Sequence, residues 1–406
     1  MVLPSEWTYA RPARHFREKL RHDLDVNVIA RIGRRAFQTN LRVNPILFVG
    51  SSSATSMRRT KRDFFVADVR EILQADASEC LSVNPLAQFS LSDARPDNEF
   101  RFMVADAEIS SRLGNFGSAK MGMSAGDGES FERCFWEPQN LPPNWDFLQS
   151  SADEGNVYSG RSLIIHWQNE NGRIVALAES VKHLNHAAQN WQRGRPFWQK
   201  RGLVINKFGG YCLYEGDKFD SRCMVYVPDK PEYLLPILSF FHAGGFSAAL
   251  GEMDDSLALG SPATVEAVPF DLGEWEELAR TRFPDGLPEP YSADPTQWLF
   301  HGHPCYAASG TELHVALARL AGYRWPAETD ASMRLSSEAR ARIAEVATLP
   351  SADADGLLPL NPLLGERGLA DRLRTWCAAA WGKAWTADTE ATLITAACER
   401  ANPHYS

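Results

Sequence analysis

Histidine, cysteine and glycine clusters are the places where this chain could do chemistry. His301-Gly302-His303-Pro304-Cys305 puts two imidazoles and a thiol within five residues, and His183 and His186 stand three apart. Imidazole nitrogen and thiolate sulfur bind transition metals, which need three or four such ligands to converge. The first group could supply three. The second lacks the intervening acid of a helical His-Glu-x-x-His pair. Hydrogen-bonded structural histidines are the other reading of both, and no metal site is assigned. Gly114, Gly117, Gly122, Gly126 and Gly128 crowd one stretch. A dinucleotide loop needs a strand before it and an acid about 20 residues on. Neither is in place, so a turn-rich entry to a β domain is expected. No P-loop occurs, which removes that nucleotidase chemistry.

Charge is distributed unevenly. The chain has 406 residues with 42 basic and 51 acidic, a net charge of −9. Residues 11–62 nevertheless carry thirteen Lys and Arg against three acids, and residues 182–222 carry eight against three. Residues 252–294 carry eleven acids against two arginines. An acidic average with local basic blocks suits a protein that meets a polyanion on part of its surface. Chance clustering on solvated faces is the alternative.

Such side chains need elements to hold them. At 44% hydrophobic and 23% charged residues the composition is that of a folded globular protein of two to four domains. No apolar run approaches the roughly 18 residues of a membrane span. Seven scattered cysteines without a Cys-x-x-Cys pair point to reduced thiols and a cytoplasmic setting. His15–Leu24 has helical spacing. Val26–Ile32 alternates as a strand, with Val26, Val28, Ala30 and Ile32 on one face, and Val43–Val49 reads as a buried strand. Strands are expected at Ser162–Trp167, Leu203–Ile205 and Cys223–Val227, and a helix at Pro231–Ala243 capped by Gly244-Gly245. Beyond about residue 276 the pattern turns helical. The reading is an α/β plus α+β protein.

Several stretches together resemble a known family. They are His15-Phe-Arg-Glu-Lys-Leu20, Ile29–Gly33 with Ala36-Phe37, Met121–Asp127 with Phe131 and Trp136, and Trp198–Gly202. Tyr214–Phe219, Val268–Leu272 with Trp275, and Gln297–Pro304 with Ala321–Pro326 follow in order. In sequence they look like the large adenine-N6 DNA methyltransferases of the Eco57I-like restriction-modification type, especially those of BREX- and DISARM-type phage-defence systems. Those enzymes use an Asn/Asp-Pro-Pro-aromatic turn on the target amine. The Asn44-Pro45, Asn84-Pro85 and Asn361-Pro362 pairs here have neither the second proline nor the aromatic, and read as turns.

The resemblance implies the C-terminal half of such an enzyme, beginning after the S-adenosylmethionine loop and the catalytic turn. Residues 1–65 would be the last strands of the methyltransferase sheet, 66–110 a linker or insertion, 111–275 a mixed α/β target-recognition domain and 276–406 a helical C-terminal region. It also implies a role for Phe37, packing on a flipped adenine in place of lost base stacking; a core position is the alternative. Arg195, Lys200, Arg201 and Lys207 would contact DNA phosphates. No catalytic residue is assigned. The expected partners are double-stranded DNA and a chain carrying the cofactor loop, with S-adenosylmethionine bound only in the complete enzyme and no membrane involved. A stand-alone DNA-binding or scaffold subunit of a defence complex, without methylation, is the second reading. A metal-dependent hydrolase using His301, His303 and Cys305 is the third.

Overall fold

The computed structural model describes residues 1–8, 13–33, 45–52, 63–70, 79, 81–82, 86–90, 111–135, 137–138, 141–152, 157–184, 190–253, 259, 261–290, 302–329, 331, 335–350, 353 and 355–401. Phe37, Trp136, His186 and His301 lie outside them. The described strands, in chain order, are β1 (Val2–Pro4), β2 (Leu24–Arg31), β3 (Pro45–Ser52), β4 (Asp63–Asp68), β5 (Ala87–Ser90), β6 (Gly117–Met121) and β7 (Glu132–Cys134). They continue with β8 (Trp145–Gln149), β9 (Leu163–His166), β10 (Gly202–Asn206), β11 (Tyr211–Tyr214), β12 (Lys218–Phe219) and β13 (Cys223–Pro228). The protein is mixed α/β. It divides into two compact units, one of residues 1–121, 201–211 and 224–286, the other of 122–200, 212–223 and 287–406.

The first unit holds a five-stranded sheet in the order β1-β3-β2-β4-β5. β2 runs antiparallel to β3 and parallel to β4. The helix Arg14–Asp23 forms as its spacing predicts. Its Leu20 packs with Trp7, Val26, Ile29, Ile46, Phe48, Phe64 and Val66 in one core. Each such aliphatic or aromatic side chain, once buried, contributes about 1.5–3 kcal/mol. The expected alternation of β2 is broken. A bulge between Val26 and Val28 shifts the register. Val26 and Ile29 therefore share one core, while Ala30 and Ile32 join Ala67 and Val69 in another. A bulge adds one residue to one strand and so changes the face of all that follow.

The helix Leu234–His242 also forms, and Gly244 takes the left-handed φ of +78° beyond it. The glycine is a corner and not the end of the helical stretch. A second helix, Gly245–Met253, starts at once. Its last carbonyls face two arginines: Arg31 Nη2 donates to Met253 O at 2.7 Å and Arg70 Nη1 to Gly251 O at 3.3 Å. Guanidinium at a helix C-terminus satisfies orphan carbonyls and complements the dipole. β6 and β13 pair antiparallel in the same unit, from Met224↔Met121 to Pro228↔Gly117.

The second unit carries a sheet in the order β12-β8-β9-β7. Ile174 and Ala178 of the helix Arg173–Val181 close over Leu148, Ile165, Trp167 and Trp191. Its helical part gathers Ala316, Leu320, Trp376 and Cys377. Arg319 is buried there with Glu328, through bonds of 2.8 and 2.6 Å, and donates to Gly302 O at 2.7 Å. The helices Glu312–Leu320, Ser337–Val346 and Leu369–Trp381 match the helical reading of this region.

The glycine-rich stretch is not a loop throughout. Gly117–Met121 is strand β6 and Gly128–Phe131 a short helix. A Cβ on Gly117 would lie 2.5 Å from Val227 O, one on Gly114 2.8 Å from Glu266 O, and one on Gly122 2.0 Å from Asp220 O. These glycines admit close backbone neighbours, so the space a phosphate would need is already filled.

Candidate nucleic-acid interface

The segment from Ser180 to Tyr214 contains six Lys and Arg and not one Asp or Glu. Within the second unit, residues 190–200 of it are tied down by aromatic anchors. Trp191 and Phe197 are buried. Gly194 has φ +78°, and a Cβ there would meet the Phe219 ring at 2.4 Å. A single turn of 3-10 helix, Arg195–Phe197, follows. Arg193, Arg195 and Lys200 are exposed on this frame. Arg195 is paired with Glu170 at 2.8 Å. The Lys200 ammonium lies 5.9 Å from the Phe197 ring centre, and no carboxylate pairs with it among the described residues.

Lys218, from the same basic block, is committed elsewhere. Its ammonium stands 4.9 Å from the Trp167 ring centre and 5.1 Å from that of Trp198, and bonds Asp146 at 2.8 Å. A cation held over two indoles and on a carboxylate serves the fold. Arg161 is likewise buried, over the Phe147 ring at 4.1 Å and paired with Asp217.

Arg201 and Lys207 belong to the first unit and flank β10, so the four predicted phosphate contacts divide between the two units. Arg201 is half-buried; Lys207 is exposed. Lys207 and its neighbour Phe208 are the central residues of a closed turn. Gly209 N donates to Asn206 O at 3.2 Å and Asn206 N to Gly210 O at 2.8 Å. The Asn206 side-chain oxygen accepts from Phe208 N at 2.8 Å and Gly210 N at 3.0 Å. Gly209 supplies the left-handed φ of +88° that ends such a three-residue hairpin loop. Leu259 N donates to Lys207 O at 2.7 Å. Phe208 is 83% exposed at this tip. The sequence reading passed over it; the available signal was an aromatic set between Asn206-Lys207 and Gly209-Gly210.

Of the two histidine clusters, only His183, His303 and Cys305 lie among the described residues. His183 is exposed past the end of the helix Arg173–Val181. His303 is buried, with Nε2 3.5 Å from Glu345 Oε1. Burial lowers its imidazole pKa, against the pull of Glu345. The Cys305 thiol donates to Ala380 O at 3.2 Å, and burial pushes it up to about 11. Among the described residues no three His, Cys, Asp or Glu side chains gather to hold a metal ion.

No protein-family model matches the chain, and no curated protein does. Among solved structures it is similar to the type IIL restriction-modification enzyme MmeI in complex with DNA. The identity is 9% and the TM-score 0.34, over 99% of this chain and 49% of that one. It is also similar to the type IIG restriction endonuclease BpuSI, with 10% identity and a TM-score of 0.25, over 77% of this chain and 45% of that one. The chain thus spans about half the length of the structures it matches.

Proposed function

We propose that this chain is the DNA-recognition half of a site-specific adenine-N6 DNA methyltransferase of the restriction-modification type, working with a partner chain that carries the cofactor loop and catalytic turn. The observation that carries the DNA part is the acid-free Ser180–Tyr214 segment, whose exposed cations sit on anchored frames. Cations on such frames meet phosphates without first being ordered, which lowers the entropic cost of contact. The methyltransferase part rests on the ordered sequence resemblance.

The residues present do not fit S-adenosylmethionine. Among the described residues Gly114, Gly117 and Gly122, the glycine-rich stretch's candidates for close approach to a phosphate, are pressed against backbone or its neighbours. The cofactor belongs to the partner in this reading. Duplex binding by the full chain tests it. Log affinity against log salt should fall linearly, by about 0.9 per phosphate neutralised. A Lys200→Ala/Lys207→Ala chain should give a flatter line, and an unchanged slope would remove both residues from the interface.

A further inference from the structure

The Phe208 ring has no hydrogen-bonding part in the hairpin that presents it. The turn is closed by backbone and by the Asn206 side chain, and the ring is 83% exposed. Turn chemistry favours Asn, Asp, Ser or Gly at such a position, and none of those rules asks for a phenyl ring. Backbone bonds hold the tip on both sides of the ring. Lys207 O is bound by Leu259 N, and Asn206 is bonded on both sides of its peptide. The adjacent side chain is an exposed lysine, and no acid lies between Arg201 and Tyr211. An apolar point flanked by a cation, with no acid in its own hairpin, has the chemistry of side chains that enter a base step while a neighbour holds phosphate.

We propose that the Lys207-Phe208 tip is a wedge for duplex DNA, with Phe208 inserted between adjacent bases and Lys207 on the flanking phosphate. The inference rests on the DNA-binding reading above and adds to it a site and a mode of contact. A wedge that opens one step acts on many sequences, because every base has a face to stack on.

The experiment uses the full chain and an end-labelled duplex of mixed sequence, with 2-aminopurine in place of several adenines. Anisotropy reports binding and 2-aminopurine emission reports unstacking. The wild-type chain should raise the emission by about twofold or more as steps open. Phe208→Ala should abolish that rise while changing affinity by less than about fivefold, because the stack gained offsets the stack broken. Phe208→Trp should restore it, and Lys207→Ala should lower the salt slope by about 0.9 while emission per bound protein stays. Unchanged thermal midpoints in all three chains show that the tip, and not the fold, has been altered. Binding without any emission rise, or a rise that survives Phe208→Ala, overturns the wedge and leaves DNA binding standing. Absence of duplex binding by the wild-type chain overturns the DNA reading and the wedge with it.

Discussion

Arg195 and Lys200 are five residues apart and both exposed, but Arg195 already holds Glu170 at 2.8 Å. A phosphate approaching Arg195 must compete with that carboxylate; Lys200 has no carboxylate partner among the described residues. Arg195→Ala should therefore change the salt slope of duplex binding by less than the roughly 0.9 expected of one full phosphate contact. Lys200→Ala should change it by the whole amount. Equal slopes for the two variants would show that the ion pair opens on DNA. Asp68 gives a second residue-scale test. Burial would raise its carboxyl, but the hydrogen bond from Arg70 and the charges of Arg31 and Arg70 outweigh it and hold the pKa below the usual range. A depressed carboxyl stabilises the fold above its unfolded pKa, and that contribution is lost as pH falls through the folded value. The urea midpoint should drop between neutral pH and about pH 3, and Asp68→Asn should reduce the drop. An identical acid response in the variant would mean that other carboxylates set it.

Elements are fixed by positions where backbone meets backbone, and these are the least visible in sequence. Gly160 has φ +77°, and a Cβ there would lie 1.8 Å from Ser151 O, next to β8. Gly126 has almost the same φ of +78° with nothing within 4 Å. Gly126→Ala should cost about 1–2 kcal/mol, the left-handed penalty alone. Gly160→Ala should cost about 1–3 kcal/mol more, since the chain must also move. Denaturant titration of both reads the difference, and equal losses would show that the Ser151 carbonyl yields freely. Buried Arg319 is the polar counterpart. Arg319→Ala strands Glu328 and should cost about 3–5 kcal/mol, whereas Arg319→Met with Glu328→Met should recover most of it. Periodicity made the helices at residues 14–23, 234–242 and 369–381 legible, because one apolar face repeats every three to four residues. It could not show the bulge at Val26–Val28, which inserts one residue without changing composition. Nor could it show that Gly244 bends the chain into a second helix, since the same glycine serves a stop and a corner. For the candidate interface, the basic block was legible as charge. The commitment of Arg195 and Lys218 was not, because Glu170 and Asp146 are distant in sequence.

At the scale of the whole molecule the question is what the chain does by itself and what it does with a partner. In the proposed reading the exposed cations hold duplex, while the glycines near residue 120 are spent on packing. The purified chain should therefore show no heat of binding with S-adenosylmethionine under conditions where it binds DNA, and micromolar calorimetric binding would sink the division of labour proposed. With a partner supplying the catalytic turn, the mixture should methylate adenine at one defined duplex sequence. Phe37 then separates two physical cases. If its ring meets only the extruded base, Phe37→Ala should lower methylation by about 1–3 kcal/mol in transition-state terms, the scale of one aromatic–base stack. Affinity should hardly change, because it comes from phosphates elsewhere. If the ring is core, the same substitution should cost about 3–5 kcal/mol of folding stability. A thermal melt beside the methylation assay decides between them. An unchanged midpoint with reduced methylation assigns Phe37 to the target base, and a collapsed midpoint assigns it to the fold.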